Sequence, residues 1–147
     1  MELENLYQEV ILDHYKRPKN KGLRPNSMVQ VHHVNTSCGD EITLNLSLRD
    51  GRVSDLSWDG VGCSISQASA SVMSELLLEK SREEALDLLG EFQEMLQSKG
   101  SISGNEDRLQ DGVAFAGVAK FPARVKCALL AWMAFKDAVS RIEDNDE

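Results

Sequence analysis

Two neighbouring segments joined by Asp50-Gly51 constrain the fold of this chain most. The segment EITLNLSL, residues 41–48, places isoleucine or leucine at every second position, as in a strand with one buried face. The segment RVSDLSW, residues 52–58, alternates less regularly, which is typical of a strand that contains a bulge. Asp-Gly between two such segments is a strong signal for a β-hairpin. Together with MVQVHHV, which precedes them, these segments predict a three-stranded antiparallel sheet over residues 28–60.

Helical periodicity dominates the rest of the chain. The predicted helices cover residues 3–16, 64–80, 81–97 and 122–142. Pro18 limits the first helix, Ser81 and Glu84 stand in the register of a capping box, and Pro122 suits the first position of the last helix. A less regular stretch, residues 98–120, precedes that last helix. The order of helix, sheet and then helices predicts an α+β fold in which the sheet packs against helices.

Length, composition and charge narrow the class of protein. A chain of 147 residues with 41% hydrophobic residues fits one domain, residues 1–147, whose last five residues (143–147) we expect to be a frayed tail. The formal charge of −8 argues against binding to nucleic acid or to an anionic membrane surface. No apolar run approaches the ~20 residues of a membrane span, and the N-terminus does not resemble a signal peptide. We therefore expect a cytoplasmic protein.

The three cysteines, Cys38, Cys63 and Cys127, are an odd number. In a reducing compartment this favours thiol or metal chemistry over a set of disulfides, although three unrelated buried cysteines would explain the count equally well. Each lies at or near the end of a predicted element, so the fold can bring them together. Their spacing differs from the paired C-x-x-C of zinc ribbons and does not decide between these interpretations.

The surroundings of the cysteines favour a shared metal ion. Gly39 lets the backbone turn between Cys38 and Asp40, so that a thiolate and a carboxylate can bind one ion. Gly62 permits close backbone approach at Cys63, where the start of a helix favours the thiolate.

Two basic residues precede the third cysteine. Arg124 lies three positions before Cys127 and hence on nearly the same helical face, and Lys126 is adjacent. Zn²⁺ bound by three thiolates and one carboxylate carries a net negative charge, which nearby cations would stabilise. An ordinary solvated start of a helix is the alternative explanation for both residues.

Three segments closely resemble the IscU/NifU-N family of iron–sulfur assembly proteins. They are NTSCGDEITL, DGVGCSISQASASVMSELL and GVAKFPARVKCALLAWMAF, and the similarity extends to LYQEVILDHYKRPKN near the start. The resemblance implies the compact α+β fold of that family and a metal site made by Cys38, Asp40, Cys63 and Cys127. It is greatest for the SufU branch, because scaffold-type IscU proteins carry a histidine where this chain has Lys126, and because this chain has a longer segment between Cys63 and Cys127.

The resemblance to the SufU branch implies a zinc-dependent sulfurtransferase. Such a protein accepts persulfide sulfur from a pyridoxal-phosphate cysteine desulfurase of the SufS type and passes it to the iron–sulfur assembly machinery. Cys38 would be the acceptor, and Arg124, which matches an arginine shared by SufU proteins, would stabilise its released thiolate. Asp40, a harder ligand than thiolate, would make a Zn²⁺ site less rigid than one built from sulfur alone.

Three alternatives remain open from the sequence. The same ligands can hold a transient [2Fe–2S] cluster on a scaffold protein, the zinc can be purely structural, or the chain can be a metal-free binding module. His14 is expected at the surface or at a partner contact, and the adjacent His32 and His33 should face opposite sides of a strand, so that none of the three is predicted as a ligand. Trp58 and Trp132 are predicted core residues.

Overall fold

The computed structural model describes the backbone of residues 2–145 and the side chains of residues 7–142. Within that range a three-stranded antiparallel sheet, in the order β1-β2-β3, follows the first helix, and the later elements are helical. The elements in chain order are α1 (Glu2–Lys16), β1 (Val29–Asn35), β2 (Asp40–Arg49), β3 (Arg52–Val61), α2 (Ser64–Leu77), α3 (Arg82–Leu96), α4 (Glu106–Leu109), a 3₁₀ segment (Gln110–Lys120) and α5 (Pro122–Asn145). The predicted α+β fold is confirmed.

Asp50 and Gly51 form the turn between β2 and β3. Their φ angles are +54° and +74°, and a turn with positive φ at both central residues matches the right-handed twist of the two strands. The pairing register shifts between Ser47 and Leu48, which leaves Ser54 as an extra residue in β3. The structure thus confirms the predicted hairpin and the irregularity of its second strand.

Helix α5 packs across β1 and β2, and the hydrophobic core lies at this contact and between α5 and the other helices. Leu44 and Leu46 of β2 are completely buried, as are Trp58 and Trp132, which were predicted as core residues. Phe92 of α3 stacks on Trp132 with ring centroids 4.0 Å apart and an interplanar angle of 11°. Burial of each large apolar side chain contributes about 1.5–3 kcal/mol, so this packing fixes the position of α5 relative to the sheet.

A buried serine connects α2 to α5. The Ser69 hydroxyl donates to the carbonyl oxygen of Ala128 at 2.6 Å and accepts a hydrogen bond from the indole Nε1 of Trp132 at 2.9 Å. Both contacts lie in the interior, where an unsatisfied polar group is costly. Because Ala128 directly follows Cys127, these bonds hold the segment of α5 that carries the third cysteine.

The starts of α3 and α5 follow their predicted signals, whereas α2 ends at Leu77 instead of residue 80 and α5 ends at Asn145 instead of residue 142. Ser81 caps α3, since its side chain accepts a hydrogen bond from the backbone N–H of Glu84 at 3.1 Å. Helix α5 extends to Asn145, and the predicted frayed tail lies in part outside the described residues and stays a prediction. Between residues 2 and 145, none of the helices is both long and apolar enough to cross a membrane.

Candidate metal centre

Cys38 lies in the tight loop that joins β1 to β2. The backbone N–H groups of Cys38 and Gly39 both donate to the carbonyl oxygen of Asn35, at 3.3 and 2.9 Å, and so close the turn. Gly39 has a φ of +71°, a conformation that residues with a Cβ rarely adopt. The loop therefore presents the Cys38 thiol to solvent just beyond the ends of strands β1 and β2.

Asp40, the first residue of β2, is completely buried. Its Oδ1 accepts the backbone N–H of Cys63 at 2.9 Å, which ties the start of β2 to the start of α2. Gly62 makes this approach possible, because a Cβ at that position would overlap the Asp40 carboxylate and would also crowd the Ser66 hydroxyl. The glycine predicted to permit close approach at Cys63 thus serves the carboxylate of Asp40.

Cys63 is the N-cap residue of α2, and its side chain makes no capping hydrogen bond. Its thiol is exposed, and its Sγ lies 3.9 Å from Oδ2 of Asp40. The unpaired N–H groups at the start of a helix create a positive potential that favours a thiolate there. The second sulfur is therefore available for a shared ion and electrostatically suited to it.

Cys127 lies on α5 and is buried, unlike the other two cysteines. Its Sγ is 2.7 Å from the Sγ of Cys38, and the two thiols are free rather than joined by a disulfide. Both sulfurs lie near the carbonyl oxygen of Ala123, at 3.5 Å for Cys127 and 3.9 Å for Cys38. Burial raises the pKa of the Cys127 thiol well above its ordinary value, and the neighbouring Cys38 thiol and Asp40 carboxylate raise it further.

The ligand atoms of Cys38, Asp40 and Cys127 all lie within 4.8 Å of one another. The Cys63 sulfur lies outside that group but adjoins it through Asp40. The buried Cys127 thiol and the buried Asp40 carboxylate, two groups that bind metals as anions, therefore lie close together. Among the contacts described no positive charge compensates them, and a divalent cation would do so. Sulfur with one carboxylate is a donor set that suits Zn²⁺, so the residues fit the predicted ion. The complete set of ligands, including Cys63, stays a prediction.

Asn35 is a site residue that sequence reasoning missed. Its side-chain amide donates to the Cys38 sulfur at 3.4 Å and lies 4.0 Å from the Cys127 sulfur. The amide oxygen accepts the backbone N–H of Ser37 at 3.2 Å, which fixes the orientation of the amide. An asparagine that begins a turn and bonds the backbone two residues later is a recognisable signal for the turn, but it does not reveal the contact with a sulfur on α5.

Arg124 and Lys126 are exposed on the first turns of α5. The Arg124 guanidinium lies 5.2 Å from the ring centroid of Phe121, a distance typical of a cation–π contact. Arg124 also lines a cleft of about 430 Å³ between α1, α2 and the 3₁₀ segment. Its predicted role toward the Cys38 thiolate stays a prediction.

Of the two predictions made for the histidines, the one for His14 is wrong and the one for His32 and His33 is confirmed. His14 was expected at the surface or at a partner contact, but it is 4% exposed, because its ring is enclosed between α1, α2 and the 3₁₀ segment of the same chain. His32 and His33 face opposite sides of β1, as predicted, with His32 bonded to Thr43 of β2 and His33 to Asp137 of α5.

Comparison with known proteins gives consistent results. A family model described as the NifU-like N terminal domain matches residues 6–141. The zinc-dependent sulfurtransferase SufU of Bacillus subtilis (strain 168) is 44% identical over 141 residues, which cover 96% of this chain and 94% of that protein. The iron–sulfur cluster assembly scaffold protein IscU of Streptococcus pyogenes serotype M1 is 41% identical over 139 residues, which cover 95% of this chain and 86% of that protein.

A solved structure shares the fold. The crystal structure of a putative iron–sulfur cluster assembly scaffold protein for the SUF system from Fervidobacterium islandicum AW-1 superimposes with a TM-score of 0.81 at 35% identity. The superposition covers 88% of this chain and 93% of that one. The similarity therefore extends over sequence and fold together.

Proposed function

This chain belongs to the NifU-like N-terminal domain family of iron–sulfur cluster assembly proteins, and from that premise we propose that it is a zinc-dependent sulfurtransferase. In this proposal Cys38 accepts persulfide sulfur from a pyridoxal-phosphate cysteine desulfurase and passes it on toward cluster assembly. The proposal depends on one observation above all: an exposed thiol, Cys38, lies 2.7 Å from a buried thiol and shares its surroundings with a buried carboxylate.

Exposure and backbone position favour Cys38 as the acceptor. Cys63 is also exposed, but its backbone N–H donates to Asp40 and its carbonyl oxygen accepts the backbone N–H of Gln67 in α2, so backbone hydrogen bonds fix it on both sides. Cys127 is buried within α5. Cys38 lies in a four-residue connection between strands, and loops of this kind adjust more readily than helix ends.

Zinc would be held by Cys38, Asp40, Cys63 and Cys127, and when bound it keeps thiols deprotonated at neutral pH while it restrains them as nucleophiles. The nearby amide of Asn35 donates to the Cys38 sulfur. A hydrogen bond to sulfur stabilises the thiolate relative to the thiol. Arg124 lies three residues before Cys127 on the first turn of α5, and in this proposal its positive charge stabilises the released Cys38 thiolate.

The transfer itself is a thiol–disulfide type of exchange. The Cys38 thiolate attacks the terminal sulfur of the partner's persulfide, the bond between the two partner sulfurs breaks, and the partner cysteine leaves as a thiolate. Cys38 then carries the persulfide, and no external oxidant or reductant is needed. An attack of this kind requires an accessible thiolate, which is why the exposure of Cys38 matters.

A sulfide-release assay with a cognate cysteine desulfurase tests the proposal. Cys38→Ala should abolish the stimulation that wild-type protein gives, whereas Ser37→Ala, a change at the neighbouring exposed position of the same loop, should retain it. Normal stimulation by Cys38→Ala would refute the assignment of the acceptor. If Cys38→Ser lowers stability but leaves sulfur transfer intact, the zinc is structural only.

A scaffold for a transient [2Fe–2S] cluster is the second candidate, because a relative at 41% identity is named an iron–sulfur cluster assembly scaffold protein and the donor set can hold iron as well as zinc. Lys126, at the position where scaffold-type members have a histidine, favours sulfur transfer. Metal analysis and an absorption spectrum of anaerobically purified protein separate the two. Zinc without visible absorption supports the sulfurtransferase, and iron with sulfide-to-iron absorption supports the scaffold.

A further inference from the structure

A second group of metal-ligating side chains lies outside the cysteine group, where α1, α2 and the 3₁₀ segment meet. It consists of His14, Glu75 and Asp111, whose ligand atoms all lie within 4.8 Å of one another. The Nε2 atom of His14 is 2.9 Å from Oδ2 of Asp111 and 4.0 Å from Oε1 of Glu75. The three residues come from three different elements, so only the folded chain brings them together.

The other ring nitrogen of His14 has the partner that a metal-binding histidine needs. Nδ1 lies 2.7 Å from the hydroxyl oxygen of Ser71, which also accepts the backbone N–H of Lys19 at 2.7 Å. Histidine ligands almost always donate the ring N–H that does not face the metal to an oxygen, which fixes the tautomer and the ring orientation. With the proton on Nδ1, the lone pair of Nε2 points toward the two carboxylates.

The charges of the group favour a positive centre between its three atoms. A lone pair on Nε2 and two carboxylate oxygens repel one another, so either a proton or a metal ion lies between them. A proton on Nε2 would give an ordinary histidine–aspartate pair, and a divalent metal ion would engage Glu75 as well. His14 is 4% exposed, whereas the side chains of Glu75 and Asp111 are 47% and 51% exposed. An ion can therefore enter from the side of the carboxylates and reach a ring whose position is fixed.

We propose that His14, Glu75 and Asp111 form a second metal site, distinct from the cysteine group and specific for transition-metal dications such as Zn²⁺ or Co²⁺. Imidazole nitrogen and carboxylate oxygen are both zinc ligands, and three protein ligands leave room for water at the remaining positions. The ion would link α1 and α2 to the 3₁₀ segment, which leads directly into α5 and Cys127. Zinc bound per chain would then exceed one equivalent.

Cobalt titration of tag-free protein that carries one equivalent of zinc per chain, which the cysteine group takes first, tests this site; this sample is the zinc-loaded protein of the following tests. Zn²⁺ binds thiolates more tightly than Co²⁺ does, so added Co²⁺ should not enter the cysteine group, where it would produce a sulfur-to-cobalt charge-transfer band. We expect one further equivalent of Co²⁺, measured by equilibrium dialysis, without that band. Glu75→Gln and Asp111→Asn, both at half-exposed positions, should each weaken this binding by at least about tenfold.

Asp137→Asn is the matched control. Asp137 pairs with His33 at 2.8 Å, the same type of contact as in the proposed site, but its neighbour is the Arg141 guanidinium instead of a carboxylate. This variant should bind Co²⁺ as the wild type does. If Glu75→Gln and Asp111→Asn also bind as the wild type does, or if zinc-loaded wild type takes up no Co²⁺ at millimolar concentration, the second site does not exist. Neither result affects the test of Cys38, which measures sulfide release.

Discussion

Replacing Asp40 by asparagine should separate the structural role of this residue from its predicted role as a ligand. Asp40 is completely buried, and its Oδ1 accepts the backbone N–H of Cys63 at 2.9 Å. Asparagine has nearly the same shape and retains an oxygen that can accept this bond, while its NH₂ group can turn toward the neighbouring sulfurs. Without zinc, Asp40→Asn should therefore change the free energy of unfolding by less than about 1 kcal/mol.

With zinc present, the same substitution should be costly. Loss of a residue that only orients a metal ligand lowers metal affinity roughly 10- to 100-fold, so loss of a ligand charge should lower it by at least about 100-fold. At a free zinc concentration 100 times the wild-type Kd, zinc stabilises the wild type by about 2.7 kcal/mol and a 100-fold weaker variant by only about 0.4 kcal/mol. The variant should thus lose about 2.3 kcal/mol in zinc that it does not lose after chelation.

Urea unfolding of zinc-loaded and chelator-treated protein, with a phosphine reductant, measures both values. Asp40→Ala is the contrasting variant, because it leaves the Cys63 N–H without its acceptor and should lose about 1–3 kcal/mol even without zinc. An equal loss of stability for Asp40→Asn with and without zinc, which means equal stabilisation of both proteins by zinc, would show that the carboxylate is not a ligand.

Three further substitutions test the surroundings of the site. Gly62→Ala should lower the free energy of unfolding by about 1–3 kcal/mol and weaken zinc binding, because the new Cβ overlaps the Asp40 carboxylate; urea unfolding and a zinc titration measure the two effects. Ser69→Ala should cost about 1–3 kcal/mol in urea unfolding, because it leaves the Trp132 indole N–H and a carbonyl oxygen without their buried partner. A hydrogen bond with His33, and to a smaller extent one from Arg141, holds the pKa of Asp137 below its ordinary value. The ionised Asp137 therefore stabilises the fold fully above the unfolded-state pKa of about 3.9, and this contribution is lost as the pH falls below that value. Asp137→Asn should therefore lose less stability than the wild type as the pH falls from about 5 to about 3. Urea unfolding at a series of pH values over that range measures the difference.

Gly90→Ala is the control for the glycine prediction. Gly90 lies inside α3 with no atom near the place of its missing Cβ, so alanine there should raise stability by about 0.5–1 kcal/mol. If Gly62→Ala behaves as Gly90→Ala does, the contact between Gly62 and the carboxylate does not constrain the site. Unchanged unfolding of Ser69→Ala, or an unchanged acid profile of Asp137→Asn, would likewise contradict those predictions.

The parts of the fold that were predicted correctly have local causes. The hairpin follows from Asp50-Gly51 and the alternation beside it, and the start of α3 follows from Ser81 three residues before Glu84. The position of Cys38 and Cys63 at one end of the sheet also has a cause in the strand pairing: Asn35 pairs with Asp40, and the next residue of β2 pairs with Val61 at the end of β3. Antiparallel pairing therefore places both connections at the same end of the sheet.

The missed features depend on distant partners. His14 has the spacing of a polar residue on an amphipathic helix, and its burial is decided by Asp111, which is 97 positions later in a 3₁₀ segment that carries no strong pattern. The contact of Asn35 with Cys127 depends on how α5 crosses the sheet. That crossing is set by side-chain packing across the whole core, including Phe92 on Trp132, and no single segment of sequence contains it.

The environments of Cys38 and Cys127 differ in a way that would let a metal ion remain bound to Cys127 while Cys38 is released from it. Their sulfurs are 2.7 Å apart, yet Cys127 is held by a helix that is bonded to α2 through Ser69, whereas Cys38 is held by a short loop. Displacement of a buried helical residue would disturb core packing, which costs several kcal/mol. Displacement of the loop breaks only its few turn hydrogen bonds, each worth about 0.5–1.5 kcal/mol. A partner that binds at this end of the sheet would therefore displace Cys38 more easily than Cys127, which is the asymmetry that the proposed sulfur transfer through Cys38 requires.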